Sequence, residues 1–588
     1  MSRITFVVIA CAGALIIGAS ERASSLVEQA TQYSSQAPKT ILELQQFRQT
    51  SSSPVKSRSG RVGRATLVNL NPAINTWFLL QVAWNDGAAE TAAHLENARP
   101  HQAKILLDET HPAGLVIADG KDRFPCELFG PAASSVLDQG KSSPLAYYPL
   151  CGGRLFLRNP TKGHRTALES AVEFLRDQVW GGENVIAVFH HLLADRYREQ
   201  GELVAPNPAS LHDKLPPAAA EGPRAALIDP QYAGHLVVPG QMGLALAREG
   251  PLTNGMLPGN WYAGANPGMW VSIIEPDFVA PEILQSYRTV VAGLDRVESS
   301  SLCYLIAFDL DQFDLEYALG TQHPQVNWSE RVLAQERVGT LPGPDGIGSS
   351  APLVSTALIR PDQARKTVAA FIGGFKRSHG AFRFGDFARR NHGSHYGFIQ
   401  QGVVFSKLQP GLATVFVLDD GSVSMKTWTE ADNATLGRVR HARQNGVPLA
   451  ESEGVPGALV ARWGPGNWSG SENDKLRSIR SSLAIQNFNG KHFLIYALFS
   501  DATPSAMARV FQAYQVNYGM LLDMNALEHT YLAVYRRSGS ELAVDHLLKG
   551  MNQLDKSASN ENVPRFMGYS DNRDFFYLMR RDTKEAKR

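Results

Sequence analysis

Segment 482–525 constrains the fold of this chain more than any other stretch, because it carries several strong local signals in succession. Two apolar runs, residues 482–486 and 492–498, lie on either side of a short segment that contains Asn489-Gly490. Asn-Gly readily adopts the left-handed backbone that tight hairpin turns require. The sequence therefore predicts a β-hairpin here.

A helix and a further strand are predicted directly after this hairpin. Thr503 can cap the first free amides, Pro504 suits the first helical position, and apolar residues follow at helical spacing. Gly519 is predicted to stop the helix in a left-handed conformation. The next apolar run leads to Asp523, at a strand end where α/β layers usually present functional side chains. A plain turn acid fits the same pattern.

The length and charge of the chain limit its class and its partners. With 588 residues the chain is too long for one hydrophobic core, so at least two domains are expected. Lys and Arg number 57 against 56 for Asp and Glu, which argues against nucleic acid or an acidic membrane surface as the main partner. A neutral or locally charged small molecule or glycan is expected instead.

The first twenty residues have the pattern of an export signal. Arg3 gives the basic start, residues 4–17 the short apolar middle, and residues 18–20 the small-residue exit. A periplasmic or secreted location is therefore expected. Lipidation at Cys11 and an uncleaved membrane anchor stay open as alternatives. No second run of transmembrane length follows, so no further integral membrane domain is expected.

Cysteine and histidine positions bear on disulfides and metals. Export permits disulfides, and Cys126 with Cys151 is the expected pair. Cys303 lies in an apolar run and is predicted to be a small buried hydrophobe. His392 and His395 lie close together, but no adjacent residue supplies a third ligand. Neither a metal nor another cofactor is predicted.

Composition divides the chain into seven segments. In order they are an export signal (1–20), a flexible tether (21–59), a smaller accessory domain (60–202), a Pro/Ala-rich linker (203–223), a loop-rich connector (224–269), a larger domain (270–550) and a C-terminal extension (551–588). The accessory domain is predicted to be mixed α/β, with a helix over residues 168–179. The whole chain is predicted to be of the α+β or mixed α/β class, with mixed sheets and flanking helices in the larger domain.

Three further elements are predicted in the larger domain, which is rich in strand signals. Residues 304–310 and 313–319 are expected to pair as a hairpin, and residues 361–370 to form a helix. A second hairpin is expected from residues 413–418 and 423–428, which are connected through Asp-Gly.

Four polar clusters in the larger domain are candidate site elements. They are Gly373, Gly374 and Lys376; Arg443 and Asn445; Arg480; and Asp523 with Asn525. Paired glycines let the backbone approach a ligand closely, and a tight turn is the alternative. An arginine beside an amide can hold a sugar or a phosphate, and a surface turn would look the same. Arg480 begins a hairpin strand and points either into a cleft or into water.

In their order along the chain, these clusters resemble the phosphodiester glycosidase family, which includes the mannose-phosphate uncovering enzyme and exopolysaccharide-biosynthesis domains. The resemblance covers residues 270–535. The Asn-Gly-Gly-Phe motif of the family falls on Ile372-Gly373-Gly374-Phe375, its Arg-Ser/Thr-Ala motif on Arg480-Ser481-Ser482, and its Leu-Asp motif on Leu522-Asp523. The subgroup with Arg-Gln-Asn and Leu-Asp-x-Asn segments is most similar. Ile372 departs from the family, because it replaces an Asn and cannot form a side-chain hydrogen bond.

The resemblance implies an exported hydrolase that cleaves the glycosidic bond between a sugar and a phosphodiester, or a related envelope or exopolysaccharide glycan. Phosphate is a good leaving group, so one carboxylate with arginine partners suffices. Asp523 is expected to act as base or charge stabiliser and Arg480 to hold the phosphate. The expected substrate-binding residues are Gly373, Gly374, Lys376, Arg443, Asn445, Asn525 and Asp501. For Asp501, a helix-capping role is the alternative.

Two other function classes stay open. A non-catalytic glycan-binding or cell-envelope assembly protein would tolerate Ile372 and would use aromatic faces such as Trp428, Trp463 and Trp468. A serine hydrolase is disfavoured, because the sequence contains no Gly-x-Ser-x-Gly motif.

Overall fold

The computed structural model describes residues 34–129, 135–166, 170, 201–204, 221–247, 255–322, 325–330, 332–377, 382, 387–388, 396–461, 476–539, 541–558 and 561–581. Strands make up 39% of the structure and helices 15%. The predicted α+β or mixed α/β class is therefore wrong, and the chain is a mostly β protein.

Thirty strands are present among the described residues. They are β1 Gln49–Lys56, β2 Val62–Asn69, β3 Trp77–Trp84, β4 Thr91–Asn97, β5 Ala103–Leu106, β6 Gly114–Asp119, β7 Asp122–Glu127, β8 Tyr147–Leu150, β9 Leu155–Arg158, β10 Glu202–Val204, β11 Leu236–Val238, β12 Tyr262–Ala263, β13 Met269–Ile274, β14 Cys303–Asp309, β15 Phe313–Ala318, β16 Thr367–Ile372, β17 Phe398–Gln400, β18 Val403–Ser406, β19 Ala413–Leu418, β20 Val423–Thr427, β21 Val439–Gln444, β22 Pro448–Ala450, β23 Ser478–Phe488, β24 Lys491–Ala502, β25 Tyr518–Met524, β26 Leu532–Ser538, β27 Glu541–His546, β28 Lys556–Ala558, β29 Glu561–Val563 and β30 Phe575–Arg580.

The α-helices in the described ranges are short. They are α1 Val136–Lys141, α2 Pro281–Gln285, α3 Arg296–Ser299, α4 Pro361–Ala364 and α5 Pro504–Ala513. Single 3₁₀ turns lie at Cys151–Gly153, Pro230–Tyr232, Pro276–Phe278, Ala334–Glu336, Ser452–Gly454 and Leu527–His529, and longer ones at Glu430–Arg438 and Lys549–Leu554.

The N-terminal lobe is built from antiparallel strands. A six-stranded sheet has the order β1-β2-β3-β4-β9-β8, and a three-stranded sheet has the order β5-β6-β7. Successive residues of β3 point to opposite faces, so Phe78 and Leu80 enter the lobe's own core while Trp77 and Leu79 pack into the main core of the molecule. In the described part of residues 60–202 the one complete α-helix is α1, so the mixed α/β prediction for this lobe is wrong.

Three antiparallel sheets form the larger lobe. The seven-stranded sheet has the order β12-β13-β14-β24-β23-β25-β22, and the two five-stranded sheets have the orders β15-β30-β16-β26-β27 and β18-β17-β21-β19-β20. Many neighbours are far apart in sequence, since β14 pairs with β24 and β15 with β30. Local signals do not reveal such partners, which explains why the fold class predicted from sequence patterns is wrong.

The predictions for segment 482–525 are largely confirmed. Strands β23 and β24 form the hairpin, with positive φ angles of 52° at Asn489 and 75° at Gly490. The Thr503 hydroxyl accepts a hydrogen bond from the Ala506 amide at 3.3 Å and caps α5. The prediction for Gly519 is wrong: it lies within β25, and the left-handed residue after α5 is Gln515, at φ 52°.

The other local predictions have mixed outcomes. The hairpin of β19 and β20 is confirmed. The hairpin over residues 304–319 is wrong, because β14 and β15 belong to different sheets. The helix over residues 361–370 is also wrong, since α4 makes a single turn and β16 begins at Thr367. The β-branched and aromatic residues of β16 favour the sheet once neighbouring strands cover both sides.

Two segments predicted to lie outside the domains contribute to the folded lobes. In the tether, Ile41 and Leu44 are buried in the main core, and residues 49–56 form β1. In the C-terminal extension, β30 lies between β15 and β16. The export signal, most of the linker and the predicted helix over residues 168–179 lie outside the described residues, apart from residue 170.

The cysteine predictions are confirmed. Cys126 and Cys151 form a disulfide within the N-terminal lobe, which is compatible with export, and Cys303 is a buried free thiol. Within the described ranges, no helix is both long and apolar enough to span a lipid bilayer.

Candidate functional site

Asp523 lies near the end of β25, where two neighbouring groups hold its carboxylate. Its Oδ2 accepts a hydrogen bond from Nη1 of Arg573 at 2.6 Å, and its Oδ1 accepts one from the Met524 amide at 2.8 Å. The side chains of Asp523 and Arg573 are only 6% and 2% exposed. The result is a buried, charge-assisted pair between two segments that are distant in sequence.

His529 fixes the other side of the Arg573 guanidinium. Nη2 of Arg573 lies 2.7 Å from Nε2 of His529, and Nδ1 of His529 lies 2.8 Å from the Met524 carbonyl. A carbonyl only accepts, so Nδ1 carries a proton, and Nε2 accepts from Arg573. The row Asp523–Arg573–His529 is thereby tied at both ends to β25.

The pKa of Asp523 is raised from its usual 3.8 to about 7. Burial is the main cause, because it penalises the charged carboxylate, and the nearby negative charge of Asp574 adds to it. Arg573, the Met524 amide and Lys376 act in the opposite direction but do not offset the burial. Asp523 is therefore able to gain and lose a proton near neutral pH.

The paired glycines leave room for the polar groups around them. A Cβ on Gly373 would lie 2.8 Å from Oδ2 of Asp574, and a Cβ on Gly374 would lie 3.0 Å from Oδ1 of Asn445. Gly374 also has φ +148°, a conformation that other residues rarely adopt. Both positions therefore require glycine, for close packing against a polar cluster.

Arg443 and Asp574 form a second buried pair beside the first. Nε of Arg443 donates to Oδ2 of Asp574 at 2.7 Å, and the Tyr317 hydroxyl donates to the same oxygen at 2.7 Å. The other guanidinium nitrogens of Arg443 donate to the carbonyls of Phe375 and Gln444 at 2.6 and 2.5 Å. Arg443 thus joins β21 to the glycine segment and to the residue before β30.

Asn445 connects the glycine segment to the strand that bears Asp523. Its Nδ2 donates to the carbonyls of Leu521 and Leu522 at 2.8 and 2.6 Å, and its Oδ1 accepts from the Phe375 amide at 3.2 Å. Lys376 is 5% exposed, and its charge lowers the pKa of Asp523, so it lies within electrostatic reach of that carboxylate.

Arg480 faces a different set of partners. It pairs in register with Met524, the residue after Asp523, and its Nη1 contacts Sδ of Met524 at 3.0 Å. Successive strand residues point to opposite faces, so this contact lies on the face away from the Asp523 carboxylate. Arg480 also donates to the carbonyls of Ala502 and Leu476, each at 2.8 Å.

Asp501 lies near Arg480, and Asn525 contacts strand β23. Burial lowers the pKa of Arg480 to about 10, and the charges of Asp501 and Glu298 partly offset this. Oδ1 of Asn525 accepts from the Ser478 hydroxyl at 2.8 Å. Asp501 is not the cap of α5, since Thr503 has that role. The structure thus brings Gly373, Gly374, Lys376, Arg443, Asn445 and Asp523 together. It places Arg480 near Asp501 instead, and Asn525 bonds Ser478 of β23.

Arg573, Asp574, His529 and Tyr317 were not predicted as site residues from the sequence. The sequence does contain a signal for Arg573 and Asp574. They belong to Asp571-Asn572-Arg573-Asp574, a run of polar residues directly before the aromatic strand β30. His392 and His395 lie outside the described residues, as do Trp463 and Trp468. The absence of a metal at the two histidines stays a prediction.

Comparison with known proteins finds matches among solved structures. No protein-family model matches the chain, and no curated protein matches it. Among solved structures, the catalytic domain of zebrafish N-acetylglucosamine-1-phosphodiester alpha-N-acetylglucosaminidase, auto-inhibited by its pro-peptide, is 11% identical; the match covers 59% of this chain and 96% of that one, with a TM-score of 0.27. A hypothetical protein from Synechocystis is 11% identical over 86% of this chain and 97% of that one, with a TM-score of 0.26. Scores this low carry no argument about function.

Proposed function

We propose that this chain is an exported hydrolase that cleaves the glycosidic bond between a sugar and a phosphodiester, or a related envelope or exopolysaccharide glycan. The observation that carries the proposal is the buried Asp523 carboxylate, with a pKa raised to about 7 and held by Arg573. Perturbed carboxylates of this kind are typical of sites that transfer protons or stabilise charge. The order of the sequence motifs around it supports the same reaction class.

In the proposed reaction, Asp523 acts at the anomeric carbon. Cleavage builds positive charge on the sugar, and a carboxylate nearby stabilises that charge or removes a proton from the attacking water. The phosphate leaves without a strong proton donor, which is why the site needs no second carboxylic acid of the usual glycosidase kind. Arg573 fixes the orientation of the Asp523 carboxylate through its 2.6 Å hydrogen bond.

Lys376 is the proposed phosphate-binding group. Its charge reaches Asp523, whereas the contacts of Arg480 lie toward Met524, Ala502 and Leu476. Arg443 is held by Asp574 and two carbonyls, so we assign it the role of positioning Asn445 and the glycine segment. Asn445 has the same positioning role, because its Nδ2 bonds the backbone of β25.

A non-catalytic glycan-binding protein is the second candidate, and two observations favour it. Ile372 is fully buried at the end of β16, so no side-chain amide replaces the family Asn there. The Arg443 guanidinium is also occupied by protein groups. Against this candidate, Trp428 is 1% exposed and donates its Nε1–H to Asn433, so it offers no aromatic face for a sugar.

Hydrolysis of a nitrophenyl phosphodiester of N-acetylglucosamine separates the two candidates. The enzyme proposal predicts release of N-acetylglucosamine by the unmodified chain and its loss in Asp523→Asn. Asn has the same size and its oxygen can still accept from Arg573, while the hydrogen bond from the Met524 amide is lost. Circular dichroism would check that the fold is retained. Absence of turnover by well-folded protein over a panel of sugar phosphodiesters would favour the binding protein.

A further inference from the structure

Residues 161–166 follow β9 of the N-terminal lobe and lie against the chain just before Arg573, and we name them the crossing segment. The His164 amide donates to the Ser570 carbonyl at 2.8 Å, and the His164 carbonyl accepts from the Asn572 amide at 3.3 Å. These two hydrogen bonds form a parallel β-bridge. The crossing segment is thus bonded, main chain to main chain, to the residue next to Arg573.

Two glycines allow the main chain to pack closely around Asn572 and Arg573. A Cβ on Gly163 of the crossing segment would lie 2.8 Å from both Cα and N of Asn572. A Cβ on Gly320 would clash with the Asn572 carbonyl oxygen and with the carbonyl carbon of Arg573. Neither position has room for a methyl group, so these contacts fix the main chain that carries Arg573.

The contacts of the Arg573 side chain depend on this main-chain position. Its Nη1 donates to Oδ2 of Asp523 at 2.6 Å, and its Nη2 lies 2.7 Å from Nε2 of His529. The Arg573 amide donates to Oδ1 of Asp571 at 2.9 Å, which fixes the same residue from its main chain. Because hydrogen bonds weaken steeply with distance and angle, a shift of the main chain at Asn572 would weaken the contact between Arg573 and Asp523.

A second contact of the crossing segment leads to His529 through Glu528. The Thr166 hydroxyl donates to Oε2 of Glu528 at 2.7 Å. Oε1 of the same carboxylate lies 3.7 Å from Nε2 of His529, the nitrogen that accepts from Arg573. The Glu528 side chain is only 7% exposed, so solvent screens its charge weakly. Thr166 therefore fixes a negative charge close to the His529 end of the row Asp523–Arg573–His529.

We propose that Gly163 and Thr166 are positioning residues of the Asp523 site, through which the N-terminal lobe holds Arg573 and His529 in place. This inference rests on the proposed role of Asp523 and extends it, because it makes the N-terminal lobe part of the site. Gly163 acts through the main chain of the Arg573 segment, and Thr166 acts through the Glu528 carboxylate.

The protonation of Asp523 reports on this arrangement without requiring turnover. The charged groups that act on Asp523 are Arg573, Lys376 and Asp574, and Arg573 lowers the pKa of Asp523. A displaced Arg573 guanidinium should therefore raise that pKa further. Infrared titration of ¹³C-labelled aspartate in the full chain, with the matching Asp523→Asn spectrum subtracted, measures the midpoint. No substrate is added, so failure of the unmodified chain to hydrolyse sugar phosphodiesters would leave this test intact.

Variants of the two residues should shift the midpoint by different amounts. Gly163 does not have a positive φ, so Gly163→Ala acts through the contact of its methyl group with Asn572 and Thr321. The midpoint should rise by about one pH unit, as expected when one charge-assisted hydrogen bond is weakened. Thr166→Val removes the hydroxyl at nearly constant shape and should raise the midpoint by less. Thr166→Ser keeps the hydroxyl and should retain the midpoint of the unmodified chain.

Gly402→Ala is the matched control, because its Cβ would lie 2.6 Å from Ile74 at another contact between the two lobes. It should lower stability without moving the Asp523 midpoint. If Gly163→Ala does not fold, the comparison of Thr166→Val with Thr166→Ser decides alone. An unchanged midpoint in the folded Gly163→Ala and Thr166→Val variants, or an equal shift in Gly402→Ala, would overturn the proposal.

Discussion

Asp523 and Glu316 are two buried carboxylates in the same lobe, with side chains 6% and 0% exposed, and their surroundings shift their pKa values in opposite directions. Burial raises the pKa of both. Around Glu316, the guanidinium of Arg440, the ring of His441 and the charge of Arg360 outweigh the burial, and the pKa is lowered. Around Asp523 the attractive groups do not suffice, and the pKa is raised to about 7.

This difference supports the proposal that Asp523 is a reactive carboxylate and Glu316 a structural one. Glu316 stays ionised and joins the inner sheets, since Arg440 and His441 both bond it. Asp523 has one arginine partner and one amide donor, and it lies near the positive charge of Lys376 and the negative charge of Asp574. A carboxyl that is half protonated near neutral pH adds nothing as a structural ion pair but is suited to chemistry.

The largest expected effect separates the two carboxylates by activity. Asp523→Asn should lower kcat for sugar-phosphodiester hydrolysis by about 10³-fold or more, because the proposed proton-transfer group is removed. Glu316→Gln should retain kcat per folded molecule. Steady-state kinetics on both variants, normalised to folded protein, measures this. If Glu316→Gln lowered kcat as much as Asp523→Asn, the proposed distinction between the two carboxylates would be wrong.

The second expected effect is a stability change with pH. Asp523 binds a proton more tightly in the folded chain than in the unfolded one. Its contribution to the free energy of unfolding therefore falls as pH rises from about 4 to about 7. The stability of Asp523→Asn relative to the unmodified chain should therefore rise over that window, by on the order of 4 kcal/mol. Urea unfolding at a series of pH values measures it.

Glu316 should show the opposite sign. The pKa of Glu316 is lower in the folded chain than in the unfolded chain. Its contribution to the free energy of unfolding is therefore present above the unfolded-chain pKa and is lost as pH falls through the folded-chain pKa. Relative to the unmodified chain, Glu316→Gln should be least stable above its usual pKa of 4.5 and should recover in acid. The same slope in both variants would contradict the comparison.

The third expected effect concerns the arginine partners. Arg440→Gln removes the main partner of an ionised carboxylate and should cost about 3–5 kcal/mol at pH 7. Arg573→Gln should cost about 1–3 kcal/mol, because Asp523 can take up a proton and only hydrogen bonds are lost. Denaturant unfolding of both variants at one pH gives the ranking, and a larger cost for Arg573→Gln would reverse it.

The sequence was most informative where structure is local. The Asn489-Gly490 hairpin, the Thr503 cap and the apolar strand that carries Asp523 all depend on neighbours in the chain. The fold class was wrong because strands such as β15 and β30 become neighbours only in the folded chain. Arg573 was missed for the same reason, since it reaches Asp523 from fifty residues away.

Arg480 shows why the candidate site was only partly predicted. The motif order brought it close to Asp523 along two adjacent strands, and that much is present in the structure. Which face a side chain takes depends on register, and the irregular pairing between Arg480 and Ser482 is not visible in a single sequence. The guanidinium beside Asp523 therefore comes from another segment.

The smallest expected difference between two matched variants concerns the glycine segment. Gly374→Ala should cost about 2–3 kcal/mol, because its Cβ would lie 3.0 Å from Oδ1 of Asn445 at a φ of +148°. Gly421→Ala, also at positive φ but with its nearest atoms 3.6 Å away, should cost about 1 kcal/mol. Thermal unfolding compares the two, and equal costs would show that Gly374 has no special packing role.

The protonation state of Asp523 tests the comparison most directly. Infrared difference spectroscopy with ¹³C-labelled aspartate, with Asp523→Asn subtracted, follows the carboxyl band of this residue across pH. A midpoint near pH 7 is predicted, as for a buried carboxylate that its neighbours only partly compensate. Full ionisation of Asp523 already at about pH 5 would place it with Glu316 among structural ion pairs and would contradict the account.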